Sequence, residues 1–145
     1  MQYKIKKISG DASFREFYKI ERNFKSTILV KANKNKFKNL IIYAAVNKLL
    51  IKNKINAPKL IQEYFSSNMM EIENLGNYSF LEYIKNKKNK FNDYKKVIKL
   101  IIKLQKIKFK RNTRFENYKI RINKHNLFEL HKESDLFFDW YLKNN

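Results

Sequence analysis

Ser9-Gly10-Asp11-Ala12-Ser13-Phe14-Arg15 sits between two runs that alternate apolar and polar residues. Upstream, Tyr3–Ile8 has the pattern of a strand. Downstream, over Phe14–Ile20, Phe14, Glu16 and Tyr18 fall on one face and Arg15, Phe17 and Lys19 on the other. Asn23–Ser26 reads as a polar turn and Thr27–Ala32 as a short β-branched and aliphatic strand. The pattern predicts three antiparallel strands with short connections. A glycine in the first connection lets the backbone approach phosphate oxygens and aim N–H groups at them. Ser13 would add a hydroxyl donor, and Phe14 would cover the phosphates from solvent. An ordinary hairpin turn explains the same residues.

Further along, Lys34–Lys54 changes period. Phe37, Leu40, Ile41, Ala44, Ala45, Lys48 and Ile51 recur at helical spacing, and Asn56-Ala57-Pro58 stops the helix. Leu60–Phe65 and Met69–Ile72 read as a second hairpin turning at Ser66-Ser67-Asn68. Glu73-Asn74-Leu75-Gly76 breaks the strand. A helix is expected over Tyr78–Asn86, capped by Asn77 or Ser79. Lys85–Lys90 reads as a solvated loop, followed by helices over Asp93–Lys110 and Asn126–Leu142. On the former, Tyr94, Val97, Ile98, Ile101, Leu104 and Gln105 lie along one side. The element order is β-β-β-α-β-β and then helices, an α+β chain.

Composition narrows the partners. At 145 residues and 43% hydrophobic, the chain can bury a core as one domain. The absence of cysteine excludes disulfides and thiolate metal sites and fits a reducing, cytoplasmic setting. Charges interrupt Ile5, Ile8 and Ala12, so nothing near Met1 resembles a signal peptide. The longest apolar stretch, Leu40 to Val46, is too short to cross a bilayer, and no membrane partner is expected. The net charge of +20 invites a nucleic-acid reading. The cations are overwhelmingly lysine, however, alongside heavy use of Asn, Ile, Phe and Tyr, the joint bias that AT-rich codons produce. Arginine, the better tool for bidentate phosphate or guanine contacts, is scarce. Nucleic acid is therefore disfavoured as the main ligand.

Two further segments bear on chemistry. Lys31 ends the third strand just before the helix, where it is either a surface lysine or a cation aimed at phosphates. Met69-Met70-Glu71-Ile72-Glu73-Asn74-Leu75-Gly76 is an apolar strand running into a turn; it would suit a hinge whose exposed backbone bonds a base.

Taken together, these segments resemble the anomeric sugar kinases. These are the bacterial N-acetylmuramate/N-acetylglucosamine 1-kinases, within the aminoglycoside phosphotransferase (choline-kinase-like) superfamily. Gly10 to Arg15 resembles their Gly-Asp-Ala-Ser-Phe-Arg loop, and Ile55–Leu60 their entry into strand four. Ile72–Asn77 resembles their Leu-Glu-Asp-Leu-Gly-Asp hinge, and Phe137–Leu142 the Phe-x-x-Trp-Tyr-Leu segment before their catalytic loop. The resemblance implies a protein-kinase-like N-lobe over 1–75, with a roughly five-stranded antiparallel sheet and one helix. It implies a hinge and the first helices of an incomplete C-lobe over 76–145.

By the same resemblance, Gly10, Asp11, Ala12, Ser13 and Phe14 would contact the triphosphate of ATP, and Lys31 its α- and β-phosphates. Glu73 and Leu75 would give backbone bonds to adenine, in a pocket lined by Leu29, Met69 and Met70. The family uses ATP and Mg²⁺ on a small sugar-like acceptor. Two departures stand out. No acidic residue lies between Arg22 and Gln62 to pair with Lys31, which leaves Tyr43 or Asn47 as hydrogen-bonding substitutes. No His-x-Asp-x-x-x-x-Asn loop is present: His125 and His131 are followed two residues on by Leu127 and Glu133. The Mg²⁺ ligands are missing with it, and Asp135 and Asp139 share the spacing of an exposed helical face. The expectation is the N-terminal portion of a phosphotransferase, inactive alone, or a non-catalytic module paired with a separately encoded C-lobe. The aromatic residues Phe137, Phe138, Trp140 and Tyr141 read as C-lobe core and not as a ligand cage; without the rest of that lobe they are expected to be partly exposed and to favour aggregation or a partner.

Overall fold

In the computed structural model, which describes residues 3–8, 14–23, 25–122 and 126–142, the chain forms two compact units that divide between Phe109 and Lys110. The expected hinge near residue 75 falls inside the first unit.

The first unit is built on a five-stranded antiparallel sheet in the order β1-β2-β3-β5-β4. Its strands are β1 (Tyr3–Ile8), β2 (Arg15–Arg22), β3 (Lys25–Ala32), β4 (Leu60–Tyr64) and β5 (Met69–Glu73). Helix α1 (Phe37–Lys52) connects β3 to β4. The ladder between β2 and β3 runs from Arg15↔Ala32 to Arg22↔Lys25. The turn expected over four residues therefore shrinks to residues 23 and 24. Asn23, at φ 45°, takes the left-handed conformation that asparagine tolerates in a two-residue hairpin. β1 is exposed along its length, and its Lys4, Lys6 and Lys7 make this edge a poor template for further pairing.

Successive residues of a strand face opposite sides, so the register fixes two faces. Val30, Ala32, Met70 and Ile72 share one face, each nearly or fully buried, and α1 packs against β3, β4 and β5 with Leu40, Ile41, Ala44 and Ala45 buried. That layer is the core. Leu29, Lys31, Met69 and Glu71 lie on the other face. The helix ends at Lys52, two residues earlier than its pattern suggests. Lys54 N–H donates to the Ile51 carbonyl at 2.9 Å and Ile55 N–H to the Leu50 carbonyl at 3.0 Å. These bonds close a Schellman motif with Lys54 at φ 56°, a position usually held by glycine. Ile55, just beyond, is buried against the end of the helix.

The β4–β5 hairpin turns through a 3-10 segment, Phe65–Ser67, which buries Phe65, and Asn68 at φ 57°. Helix α2 (Phe80–Lys85) starts on a capping box: Glu82 N–H donates to Ser79 Oγ, and the Glu82 carboxylate accepts from Ser79 N–H. Helix α3 spans Phe91–Gln105 and stops five residues before the expected end. The segment beyond, Lys106-Ile107-Lys108-Phe109-Lys110, alternates with period two, which is a strand period and not a helical one. The expected apolar side of α3 is not core: Ile98, Ile101 and Leu104 are exposed, and the buried residue is Asp93.

The second unit opens with a hairpin that the pattern reading leaves unassigned, β6 (Asn112–Phe115) and β7 (Tyr118–Arg121), with Phe115 and Ile120 buried. Helix α4 (Leu127–Phe137) follows and widens to a π-turn at Phe138–Leu142. Phe138 and Trp140 are both exposed, Trp140 by 79%, in keeping with aromatic residues expected to be left partly uncovered without the rest of a C-lobe. The side chains of Phe137 and Tyr141 lie outside the described residues.

Candidate functional site

The expected phosphate loop is described only at its end. Gly10, Asp11, Ala12 and Ser13 lie outside the described residues. Phe14 is exposed at the entry to β2, with the Arg15 guanidinium 5.4 Å and Lys36 Nζ 5.9 Å from its ring centroid. Arg15 also lies 5.2 Å from the Tyr43 ring on α1. Two cations therefore gather on an exposed aromatic where the turn enters the sheet, a cation–π arrangement.

Lys31 is exposed on the face of β3 away from α1, with Leu29 beside it, Glu16 across β2 and Met69 across β5. The substitutes expected from α1 do not reach it. Asn47 is buried and donates Nδ2 to the Pro58 carbonyl at 2.9 Å, which fixes the β4 entry to the helix. Tyr43 faces Arg15. Both belong to the side of the sheet that Lys31 turns away from. The nearest acid by register is Glu16, which sequence reasoning passed over. Glu16 accepts from Lys7 Nζ at 2.6 Å and from the Tyr18 hydroxyl at 3.1 Å. The Lys7 hydrogen bond, then that of Tyr18, then the Lys7 charge, hold the Glu16 carboxyl below the usual range; the Lys31 charge adds in the same direction. The signal for Glu16 lay in strand parity, since Glu16 and Lys31 pair once the turn is set at residues 23 and 24.

Met69 and Met70 separate. Met69 shares the face of Lys31, whereas Met70, fully buried, points into the core with Val30 and cannot line a pocket on that face. The alternation of a strand forces this, and it corrects the expectation that both methionines line one site. Beneath the same face, Glu71 is 3% exposed. It accepts from Thr27 Oγ1 at 2.5 Å and from Arg22 Nη1 at 3.3 and 3.5 Å. These three residues come from β2, β3 and β5, and they tie the strands together on the face that carries Lys31.

The expected hinge is an Asx turn. Gly76 N–H donates to Asn74 Oδ1 at 2.9 Å, and Asn74 Nδ2 donates to Ser26 Oγ at 2.8 Å, which pins the turn to the start of β3. Gly76 has φ +90°, a conformation that L side chains rarely adopt, so glycine is required here even though a Cβ would meet nothing. Glu73 N–H is already donated to the Lys59 carbonyl at 2.9 Å, so a bond from Glu73 to a base falls to its carbonyl. The Leu75 side chain is 62% exposed at the crest of the turn.

Among the described residues no three His, Cys, Asp or Glu side chains group to hold a metal ion. Asp135 and Asp139 are exposed on α4 and the turn after it, and the His131 carbonyl accepts from Ser134 Oγ. His125 lies outside the described residues. No helix among the described residues is long and apolar enough to cross a membrane. Comparison with family models, curated proteins and solved structures returns no match for this chain.

Proposed function

We propose that residues 1–75 are the nucleotide-binding lobe of an ATP-dependent small-molecule phosphotransferase of the sugar-kinase type, and that these 145 residues hold a nucleotide without transferring its phosphoryl group. One observation carries the reading. The outer face of β3 and β5 lines up Leu29, Lys31 and Met69, and this face runs from the Asx-turn hinge at Asn74–Gly76 toward the start of β2, which follows the turn expected from the sequence over Gly10–Ser13. A base would lie near the hinge against Leu29 and Met69. Its phosphates would reach Lys31 and the turn, where backbone N–H groups and a lysine suit them. Phosphoryl transfer also needs a base at the acceptor hydroxyl and carboxylates for Mg²⁺, and among the described residues no three His, Cys, Asp or Glu side chains group to hold a metal ion.

The test is a ¹⁵N-labelled sample titrated with ATP. Amide shifts are expected at Phe14, Lys31, Leu75 and Gly76 at millimolar ATP, to be lost in Lys31→Ala, with α1 and the β6–β7 hairpin unmoved. Shifts confined to other surfaces, or sugar-dependent ATP turnover by the chain, would overturn the proposal.

A second reading, a lobe that pairs with a separately encoded helical partner, rests on α3. Phe91, Tyr94, Ile98 and Ile101 form one stripe at helical spacing, all exposed. Co-purification of a helical partner that Ile98→Glu abolishes would favour it.

A further inference from the structure

The chain has five arginines; two of them, Arg114 and Arg121, lie on the β6–β7 hairpin and a third, Arg111, immediately precedes it. Codon bias explains an excess of lysine and does not explain this clustering. The register places Asn112 opposite Arg121 and Arg114 opposite Lys119, so these four side chains share one face, and all four are exposed. Like charges directly opposite one another weaken a hairpin, yet Arg114 and Lys119 are paired that way. Among the described residues no carboxylate forms an ion pair with Arg114, Lys119 or Arg121. The other face holds Phe115 and Ile120, both buried, so the ribbon is amphipathic with a cationic outer side. An open hollow of about 640 Å³ lies at the hairpin, lined by Lys110, Asn112, Arg114, Lys119 and Arg121 together with Thr113 and Ile120 of the other face.

We propose that this face binds the phosphate backbone of duplex DNA, independently of the nucleotide site. The chemistry is that of phosphodiesters: guanidinium forks take phosphate oxygens bidentately, and an unneutralised cationic pair is relieved by a polyanion. The shape favours a duplex. A two-stranded ribbon, its strands about 4.8 Å apart, enters a B-form major groove about 12 Å wide, whereas the A-form major groove of RNA is too narrow. A single strand would want aromatic platforms beside the cations, and here Phe115 and Tyr118 are paired on the opposite face.

Fluorescence anisotropy with a labelled duplex two helical turns long tests this on the full chain, between about 50 and 200 mM salt. Arg114→Gln with Arg121→Gln should lower affinity at least tenfold. It should also reduce the slope of log K against log salt by about 1.8, at about 0.9 per phosphate contact. The matched control, Lys85→Gln with Lys88→Gln, removes the same charge from exposed positions and should change the slope by less than half as much. Equal losses in the two variants would overturn the proposal, because diffuse charge would then hold the DNA. Tighter binding of the single strand would overturn it as well. So would phosphatidylserine vesicles that bind with the same dependence on Arg114 and Arg121.

Discussion

Glu71 is a carboxylate buried near the middle of a sheet, held by Thr27 and by an arginine whose own side chain is about half exposed. The asymmetry decides what each deletion does. Removing Glu71 leaves a guanidinium that can turn into water, whereas removing Arg22 leaves a buried anion with one hydroxyl partner. An uncompensated buried charge is the costlier defect. Arg22→Ala should therefore destabilise the sheet more than Glu71→Gln, by about 3 kcal/mol against about 1–2 kcal/mol. Urea unfolding followed by far-ultraviolet circular dichroism gives the order; a larger loss for Glu71→Gln would mean that Thr27 alone carries the carboxylate. Such a couple is not readable from sequence, because Glu71 meets residues 49 and 44 positions away. The outward face of Lys31 is readable, since parity along β3 sets it opposite to Val30 and Ala32. The same parity, applied to Met69-Met70, separates the two methionines.

At the scale of elements, the end of α1 stores a small strain. Lys54 sits at φ 56°, which a Cβ disfavours and a glycine does not. Lys54→Gly should raise stability by about 0.5 kcal/mol, the relief of that strain being partly offset by the entropy glycine loses on folding. The Lys103 Nζ bond to the Lys54 carbonyl involves backbone and would survive the change. A lower midpoint in thermal melts would show that the lysine side chain packs usefully there. The junction of α2 and α3 gives a pH signature. Asp93, buried in the first turn of α3, accepts from Lys87 Nζ at 2.8 Å and from the Tyr83 hydroxyl at 3.4 Å. The Lys87 hydrogen bond, with the Lys87 and Lys96 charges behind it, holds the Asp93 carboxyl below its ordinary range despite burial, and Asp93 in turn raises Lys87. A depressed carboxyl stabilises the fold above its unfolded value and loses that contribution as pH falls through the folded one. The raised lysine contributes below its unfolded value and loses its share as pH rises through the folded one. The stability gap between the wild type and Asp93→Asn should thus be flat from about pH 5 to 9, narrow below about pH 4 and narrow again above about pH 10. A gap that persisted at pH 2 would assign the effect to packing. Helices α1 and α2 were legible in the sequence from periodicity and from a polar cap left open between Asn77 and Ser79; the structure places the cap at Ser79, with Glu82 completing the box. The β6–β7 hairpin was not: it carries two buried apolar residues, and its Glu116-Asn117 turn lacks the glycine that usually marks such loops. The Gly10–Ser13 turn, by contrast, was the clearest motif, and it lies outside the described residues.

For the chain as a whole, two tendencies oppose each other. The net charge of +20 makes copies repel, while the α3 stripe of Phe91, Tyr94, Ile98 and Ile101 leaves apolar side chains in water. Repulsion between exposed charges decays over about 10 Å at 0.1 M salt and about 3 Å at 1 M, whereas the apolar attraction does not weaken with salt. Raising the salt concentration should therefore promote self-association instead of dissolving it. Sedimentation velocity should find monomer at low salt and larger species as the salt approaches molar. Ile98→Glu with Ile101→Glu should remain monomeric throughout, with an unchanged unfolding midpoint, because both residues are about half exposed and contribute little to the core. Association that appears at low salt and vanishes at high salt would point instead to bridging between lysines and the few acids. In that event the stripe would lose its claim as a docking face, and with it the reading of the chain as a lobe paired with a helical partner.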